Sequence, residues 1–414
     1  MENANSQTYT SNLDESKIPP YTLPDVLKMK DGKEVMTAQE WSNIQRSYIY
    51  HLYEEIQFGR YPSTVIPIKY RLLEKTENVF GGTATRKQVR IYLHPTDTSI
   101  FTDLLIYLPK KSRKPVPVFV GYNFSGNNEI QNDREILLTR KWVPTKSKGS
   151  LNNKATDSSR GGEATQWQVK EILSHGFGVA TAYYGDLEPD NPDGWKTGIR
   201  TTLKDVLYIQ PEEWSAMGAW AYGLSRILDY LQMDKQINAH KVALIGHSRL
   251  GKAALWAAAS DQRFALIVSN ESGEGGATLS KRYFGETVKI INQKFPHWFA
   301  LNYKNYGNNT DSLPIDGHML LSLIAPRPLY VASAEGDTWS DPRGEFLSAK
   351  EAGRVYALYG KKGIEVDSMP SLYHPVGNTI RYHIRAGKHD VTLYDWQQYL
   401  SFADQQFKSV INNN

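Results

Sequence analysis

In the run VALIGHSRLGKAALWAAA, residues 242–259, an apolar strand-like stretch stops at Gly246. A polar His-Ser-Arg triplet follows, and an alanine-rich helical stretch begins at once. A serine hydroxyl is a poor nucleophile until a base takes its proton. A tight turn between a buried strand and a helix would expose such a hydroxyl at a sheet end, with small neighbours relieving the crowding. Gly246 stands two before Ser248, but the position two after is Leu250 and Gly251 comes one later, so GHSRLG departs from G-x-S-x-G. Read locally, Ser248 is either a nucleophile or the cap of a helix starting at Arg249. The downstream order favours the nucleophile. Asp337 closes the apolar run LYVASAEGD, and His389 follows TIRYHIRAGKHD in a glycine-flanked loop. The chain order is then serine, acid, histidine. An imidazole at 389 would strip the Ser248 proton while a carboxylate fixes its tautomer and stabilises the imidazolium. Glu271, at the end of the run FALIVSNESG, is a second carboxylate placed to reach that ring. One of Glu271 and Asp337 orients His389 and the other assists.

Four other histidines compete for attention. His247 precedes the nucleophile and is expected to point away from the site, into packing or a hydrogen bond. His383 sits at an alternating strand position, His318 in a helical stretch and His297 between aromatics in FPHWF. All three are expected to be structural. The loop GYNFSGN, residues 121–127, follows an apolar run where a second oxyanion donor often sits; loop geometry alone would also account for its small residues.

Placing these groups together requires a sheet. A helix is predicted over residues 38–58. Strand-like runs follow at KQVRIYLHP, SIFTDLLIYLPK, VPVFVGYNFSG, FGVATAYYGD and residues 242–245, then at FALIVSNESG, RPLYVASAEGD and NTIRYHIRAGKHD. Helical spacing marks residues 215–233, a helix-rich stretch is read at 280–324, and a last helix begins near TLYDWQQYLSFADQQF. Strands alternating with helices imply a mostly parallel sheet covered on both faces. Ligands of such sheets sit at the carboxyl ends of the strands, where Ser248, Glu271, Asp337 and His389 all fall. The organisation expected is a polar, disordered leader over residues 1–20, then one α/β catalytic domain over 21–414 with a surface insertion at 140–162.

Bulk properties narrow the class. The 414 residues carry 48 basic and 44 acidic side chains, a formal charge of +4 without an evident basic run. That argues against nucleic acid as a partner. Cysteine is absent, which excludes disulfides, thiolate metal sites and a cysteine nucleophile. No stretch approaches the ~20 apolar residues of a membrane span, and no signal peptide is visible at the N-terminus. The 10 Trp and 25 Tyr suit sugar-binding surfaces, although most such rings should be core.

The block GHSRLGK resembles the G-C-S-R-x-G-K signature of glucuronoyl esterases, carbohydrate esterases of the α/β-hydrolase superfamily. The similarity continues through SNESGEGGATLSKRYFGE, INQKFPHWF, LPIDGHMLLSLIAPRP, SAEGDTWSDPRGE and RAGKHDVTLYDW, covering about residues 100 to 405. His247 replaces the signature cysteine, and the chain resembles the disulfide-free bacterial branch. The resemblance implies a three-layer αβα sandwich and a Ser-His-acid triad without metal or cofactor. Ser248 would be the nucleophile and His389 the base. Asp337 is the expected principal acid, with Glu271 at the family's alternative acid position. Arg249 matches the arginine that stabilises the oxyanion, a role suited to a guanidinium at a helix start. Lys252, one helical turn after Ser248, matches a sugar-hydroxyl contact, and Glu286 and Trp339 match contacts to the glucuronate hydroxyls and ring.

The expected reaction is hydrolysis of the ester between (4-O-methyl-)glucuronate of glucuronoxylan and a lignin-type alcohol, through a glucuronoyl-enzyme. The expected setting is a secreted or periplasmic monomer without nucleic-acid or membrane partners. The alternatives are an acetyl xylan esterase of the same fold and a non-catalytic carbohydrate-binding relative.

Overall fold

The computed structural model describes residues 10–409 apart from Lys111, Arg113 and Lys146. Its strands are β1 (Lys69–Val79), β2 (Ala84–Tyr92), β3 (Phe101–Pro109), β4 (Val116–Asn123) and β5 (Gly178–Tyr183), then β6 (Ile237–His247), β7 (Leu266–Asn270), β8 (Leu329–Ala334), β9 (Val376–Gly377) and β10 (Ile380–Arg385). They form one sheet in the order β1-β2-β3-β5-β4-β6-β7-β8-β10-β9. The run from β5 to β10 is parallel, while β1 to β3 extend one edge antiparallel and β9 closes the other.

Strand composition explains the layers. Val242 and Leu244 of β6 bury into one apolar cluster, and Ala243 and Ile245 bury into another. A strand apolar on both faces needs helices on both sides. The first face is covered by α1 (residues 38–58), α2 (Ala216–Met233), α3 (Arg249–Ser260) and α4 (Pro342–Leu358), and the second mainly by α5 (Leu393–Ser409) with the short helix Val169–Ser174. The result is an α/β-hydrolase fold with a mostly parallel central sheet. Among the described residues, no helix is long and apolar enough to cross a membrane.

The register decides where the chemistry can happen. His247 pairs with Asn270, Asn270 with Ala332, and Ala334 with Arg385. The carboxyl ends of β6, β7, β8 and β10 are therefore level. Ser248, Glu271, Asp337 and His389 follow those four ends by one to four residues and emerge from one rim.

Three expectations are corrected. Strand β1 was not anticipated: KYRLLEKTENV is largely exposed and charged, as suits an edge strand, and lacks clean alternation. The disordered leader is contradicted for residues 10–20, where Asn12, Ser11 and Glu15 bond to residues 282–285; residues 1–9 lie outside the described residues. The 140–162 segment, expected to be a surface insertion, is tied inward, with Val143 in the core and the Gly161 N–H on the Asn128 carbonyl at 3.1 Å.

Candidate active site

Ser248 occupies the turn between β6 and α3 with φ 56° and ψ −130°, and its side chain makes no capping bond to the helix. A non-glycine residue in that region stores about 1–3 kcal/mol of backbone strain. The turn is fastened by the Ser248 N–H on the Asn270 carbonyl at 3.0 Å. The departure from G-x-S-x-G is accounted for by packing. A Cβ at Gly246 would lie 2.2 Å from the Leu250 carbonyl oxygen, and one at Gly251 would lie 2.9 Å from the Ser272 Cβ. The two glycines sit where α3 presses on β6 and β7, and residue 250 is free to be the buried leucine.

His389 lies beside the turn, its ring centroid 4.4 Å from that of His247. Its Nδ1 is 2.6 Å from Asp337 Oδ2 and 3.0 Å from Glu271 Oε2. Glu271 is further committed. Its Oε1 accepts from Arg385 Nη2 at 2.7 Å and its Oε2 from the Asp390 N–H at 3.0 Å. Arg385 also donates to the carbonyls of Ala386, Lys388 and Asp390, so this guanidinium shapes the loop that carries His389.

The electrostatics follow from these partners. Burial pulls the His389 imidazole down, but its bonds to Asp337 and then Glu271 outweigh it and leave the ring pushed up to about 9. Burial opposes ionisation of Asp337, yet the His389 contact holds its carboxyl below the usual range. Burial dominates at Glu271 and raises it to about 7. Asp337, closer and more readily charged, is the stronger partner of the ring.

Arg249 points its Nη1 to Asp190 Oδ2 at 3.0 Å and lies over the Trp298 and Phe124 rings at 5.2 and 5.5 Å. Asp190 also accepts from His297 Nε2, Trp298 Nε1 and the Tyr184 hydroxyl at 2.8, 2.7 and 2.9 Å. Burial opposes the charge on Arg249, but Tyr184 and Asp190 more than offset it. Sequence reasoning missed Asp190. It sits among several acids in DLEPDNPDGW with nothing in its spacing to single it out; only the unusual cluster of donors around it does so.

Lys252 is buried, and its Nζ donates to the Ser272 carbonyl. Burial draws its pKa down, opposed by Glu286, Glu274 and Glu345. Glu286 is buried in a loop, and burial raises its pKa against the pull of Lys252 and Lys294. Trp339 is half-buried, with Lys294 Nζ 4.0 Å from its ring centroid. Lys294 ends the helix Val288–Lys294, and nothing in its sequence spacing singles it out.

The remaining histidines divide. His247 does not turn away from the site: it packs on His389, its Nδ1 bonding Asn270 Oδ1 at 2.6 Å. Burial, then the neighbouring His389, lower it to about 3, so it stays neutral. His383 is held between the Tyr330 hydroxyl and Asp395, His318 by the Pro24 carbonyl, and His297 by Asp190. In the 121–127 loop the Phe124 N–H donates to Glu163 at 3.0 Å and the Gly126 N–H to Asn123 Oδ1 at 2.9 Å. Those two donors are used within the loop and its neighbour.

Among the described residues, His247, Glu271 and His389 bring three metal-ligand-type atoms within 4.8 Å of one another. The hydrogen bonds given above already engage one nitrogen of each ring and both Glu271 oxygens. A strained serine, an imidazole with two carboxylates and a fixed guanidinium together suit acyl transfer.

Comparison with known proteins points the same way. The family described as "Glucuronyl esterase, fungi" matches residues 202–360. Carbohydrate esterase MZ0003, from an unknown prokaryotic organism, is 46% identical over 396 residues, covering 95% of this chain and 91% of that protein. The solved glucuronoyl esterase from Solibacter usitatus superposes with a TM-score of 0.88 at 48% identity, covering 95% of this chain and all (100%) of that one. A promiscuous CE15 esterase from a marine bacterial metagenome gives a TM-score of 0.89 at 45% identity over 96% of this chain and 100% of its own.

Proposed function

The chain belongs to the glucuronoyl esterase family and hydrolyses a carbohydrate ester, and on that premise we propose how its residues share the work. Ser248 Oγ attacks the carbonyl carbon of an ester between the carboxyl of (4-O-methyl-)glucuronate and an alcohol. His389, with Nδ1 held by Asp337, takes the serine proton on Nε2 and passes it to the departing alkoxide. Arg249 and the N-terminal end of α3 oppose the charge that develops on the carbonyl oxygen. Water, deprotonated by the same imidazole, then attacks the glucuronoyl-serine, and Ser248 leaves with the proton returned by His389. Asp337 is the principal acid and Glu271 assists. Lys252, Glu286 and Trp339 read the sugar. The alcohol is a lignin-type fragment and the uronate a branch of xylan, which fits a protein acting as a monomer outside the cytoplasm.

The observation that carries this reading is the 2.6 Å contact between His389 Nδ1 and Asp337 at the rim that also presents the strained Ser248. Its test is a side-by-side assay of a methyl ester of glucuronate and an acetylated xylan fragment. Faster release of methanol is expected. Faster release of acetate would replace the assignment with acetyl xylan hydrolysis, and binding of glucuronate without turnover of either would make the chain a lectin-like relative.

A further inference from the structure

The N-terminal segment meets the sugar-facing residues at a single turn. The Gly285 N–H donates to the Asn12 carbonyl at 2.8 Å, and the Ser11 hydroxyl donates to the Gly285 carbonyl. Both backbone polar groups of Gly285 are thus held from residues 11 and 12. Gly285 has φ 64°, and a Cβ there would stand 2.5 Å from the Trp339 carbonyl oxygen. That same oxygen accepts the Glu286 N–H at 2.9 Å. The turn therefore joins the backbones of Glu286 and Trp339 directly, with no room between them.

A second tie reaches the far side of Trp339. Glu15 Oε1 accepts from Arg282 Nη2 at 2.7 Å, and Arg282 Nε donates to Asp341 Oδ2 at 2.9 Å. Arg282 is buried, and Asp341 caps α4 two residues after Trp339. Leu13, Asp14, Glu15 and Ser16 are themselves exposed, so little apolar burial holds the segment in place. It is held by polar bonds to Gly285 and Arg282, with Arg343 of α4 also reaching Glu15 at 3.4 Å.

We infer that residues 11–15 are a strap whose Ser11 and Glu15 position Glu286 and Trp339 for the sugar. The inference rests on the reading of Glu286 and Trp339 as sugar contacts. A loop left loose must be ordered when substrate binds, and that cost is charged to recognition rather than to the chemical step. Ser11 and Glu15 act through the turn and are positioning residues.

The test compares the full chain with S11A, E15A and the double variant. Two readouts are used: amide hydrogen exchange over residues 283–288 and 337–341, and kinetics on a methyl ester of glucuronate beside p-nitrophenyl acetate, which offers no sugar. Faster exchange in both peptides is expected, with KM for the glucuronate ester raised about three- to tenfold. Its kcat and the acetate reaction should stay within about twofold of the parent. Unchanged exchange overturns the strap. Equal loss on both esters together with a lower Tm also overturns it, since that pattern is general destabilisation. Faster exchange with an unchanged KM overturns the positioning role of the strap. If the parent chain does not favour the glucuronate ester, the functional reading fails separately, and the exchange data still decide whether the strap holds the turn.

Discussion

Replacing Ser248 with alanine should remove essentially all turnover, a loss of ~10^3-fold or more, checked by steady-state assay and by the absence of a covalent serine adduct. The two carboxylates can be ranked in the same way. Asp337→Ala is expected to slow kcat more than Glu271→Ala, because Asp337 is 2.6 Å from His389 Nδ1 and Glu271 is 3.0 Å away with its charge shared by Arg385. If neither change slows turnover, the assignment of His389 as base fails. The base must be neutral to act, and its partners hold it up to about 9, so kcat/KM should climb with pH through the mildly alkaline range. Asp337→Asn should move that limb toward the ordinary histidine value, read from a pH–rate profile. These residue types and their order were legible in the chain because serine, acid and histidine each end an apolar run. Asp190 and Lys294 were not, since their roles come from neighbours distant in sequence.

At the scale of elements, the elbow depends on how closely α3 approaches β6. Gly246→Ala would drive a methyl group to 2.2 Å from a backbone oxygen, which only a shift of the helix can relieve. We expect a cost of about 1–3 kcal/mol, read as a lower urea midpoint, together with a fall in kcat as Ser248 is displaced. Central strands were readable as continuous apolar runs buried on both faces, and helix α2 from its 3.6-residue spacing. Strand β1 was not readable, because an exposed edge carries no burial pattern to imprint on its residues. The leader was misjudged over residues 10–20 for a related reason: a segment held by polar bonds to a distant turn has the composition of a free one.

For the molecule as a whole, the parallel register converts four separated sequence positions into one rim, and this convergence could be anticipated from topology but not measured. Burial has a second, global effect. It raises Glu129 and Glu345 to about 8 and Glu163, Asp186, Glu271 and Glu274 to about 7. In Glu274, for example, burial outweighs the hydrogen bonds from Tyr303 and Ser280. A carboxyl whose pKa is raised on folding binds protons that the unfolded chain has already released, so stability falls as pH rises from the unfolded value toward the folded one. His389, raised from 6.5 to about 9, acts in the same direction: its contribution is complete below 6.5 and is lost as pH rises through about 9. The buried His247, His318 and His383 are lowered by burial and oppose this trend only below 6.5. Tm should therefore decline from pH 6.5 to 9, checked by thermal melts across that range. Activity and stability are expected to favour opposite ends of it.

The pair of acids around one imidazole nitrogen also bears on how such a site can change over generations. Because Asp337 and Glu271 sit on different strand ends yet touch the same atom, the proposed mechanism leaves a lineage that loses one with a second partner for its base. The acid can then move from one strand to the next through ancestors that all remain alive as catalysts.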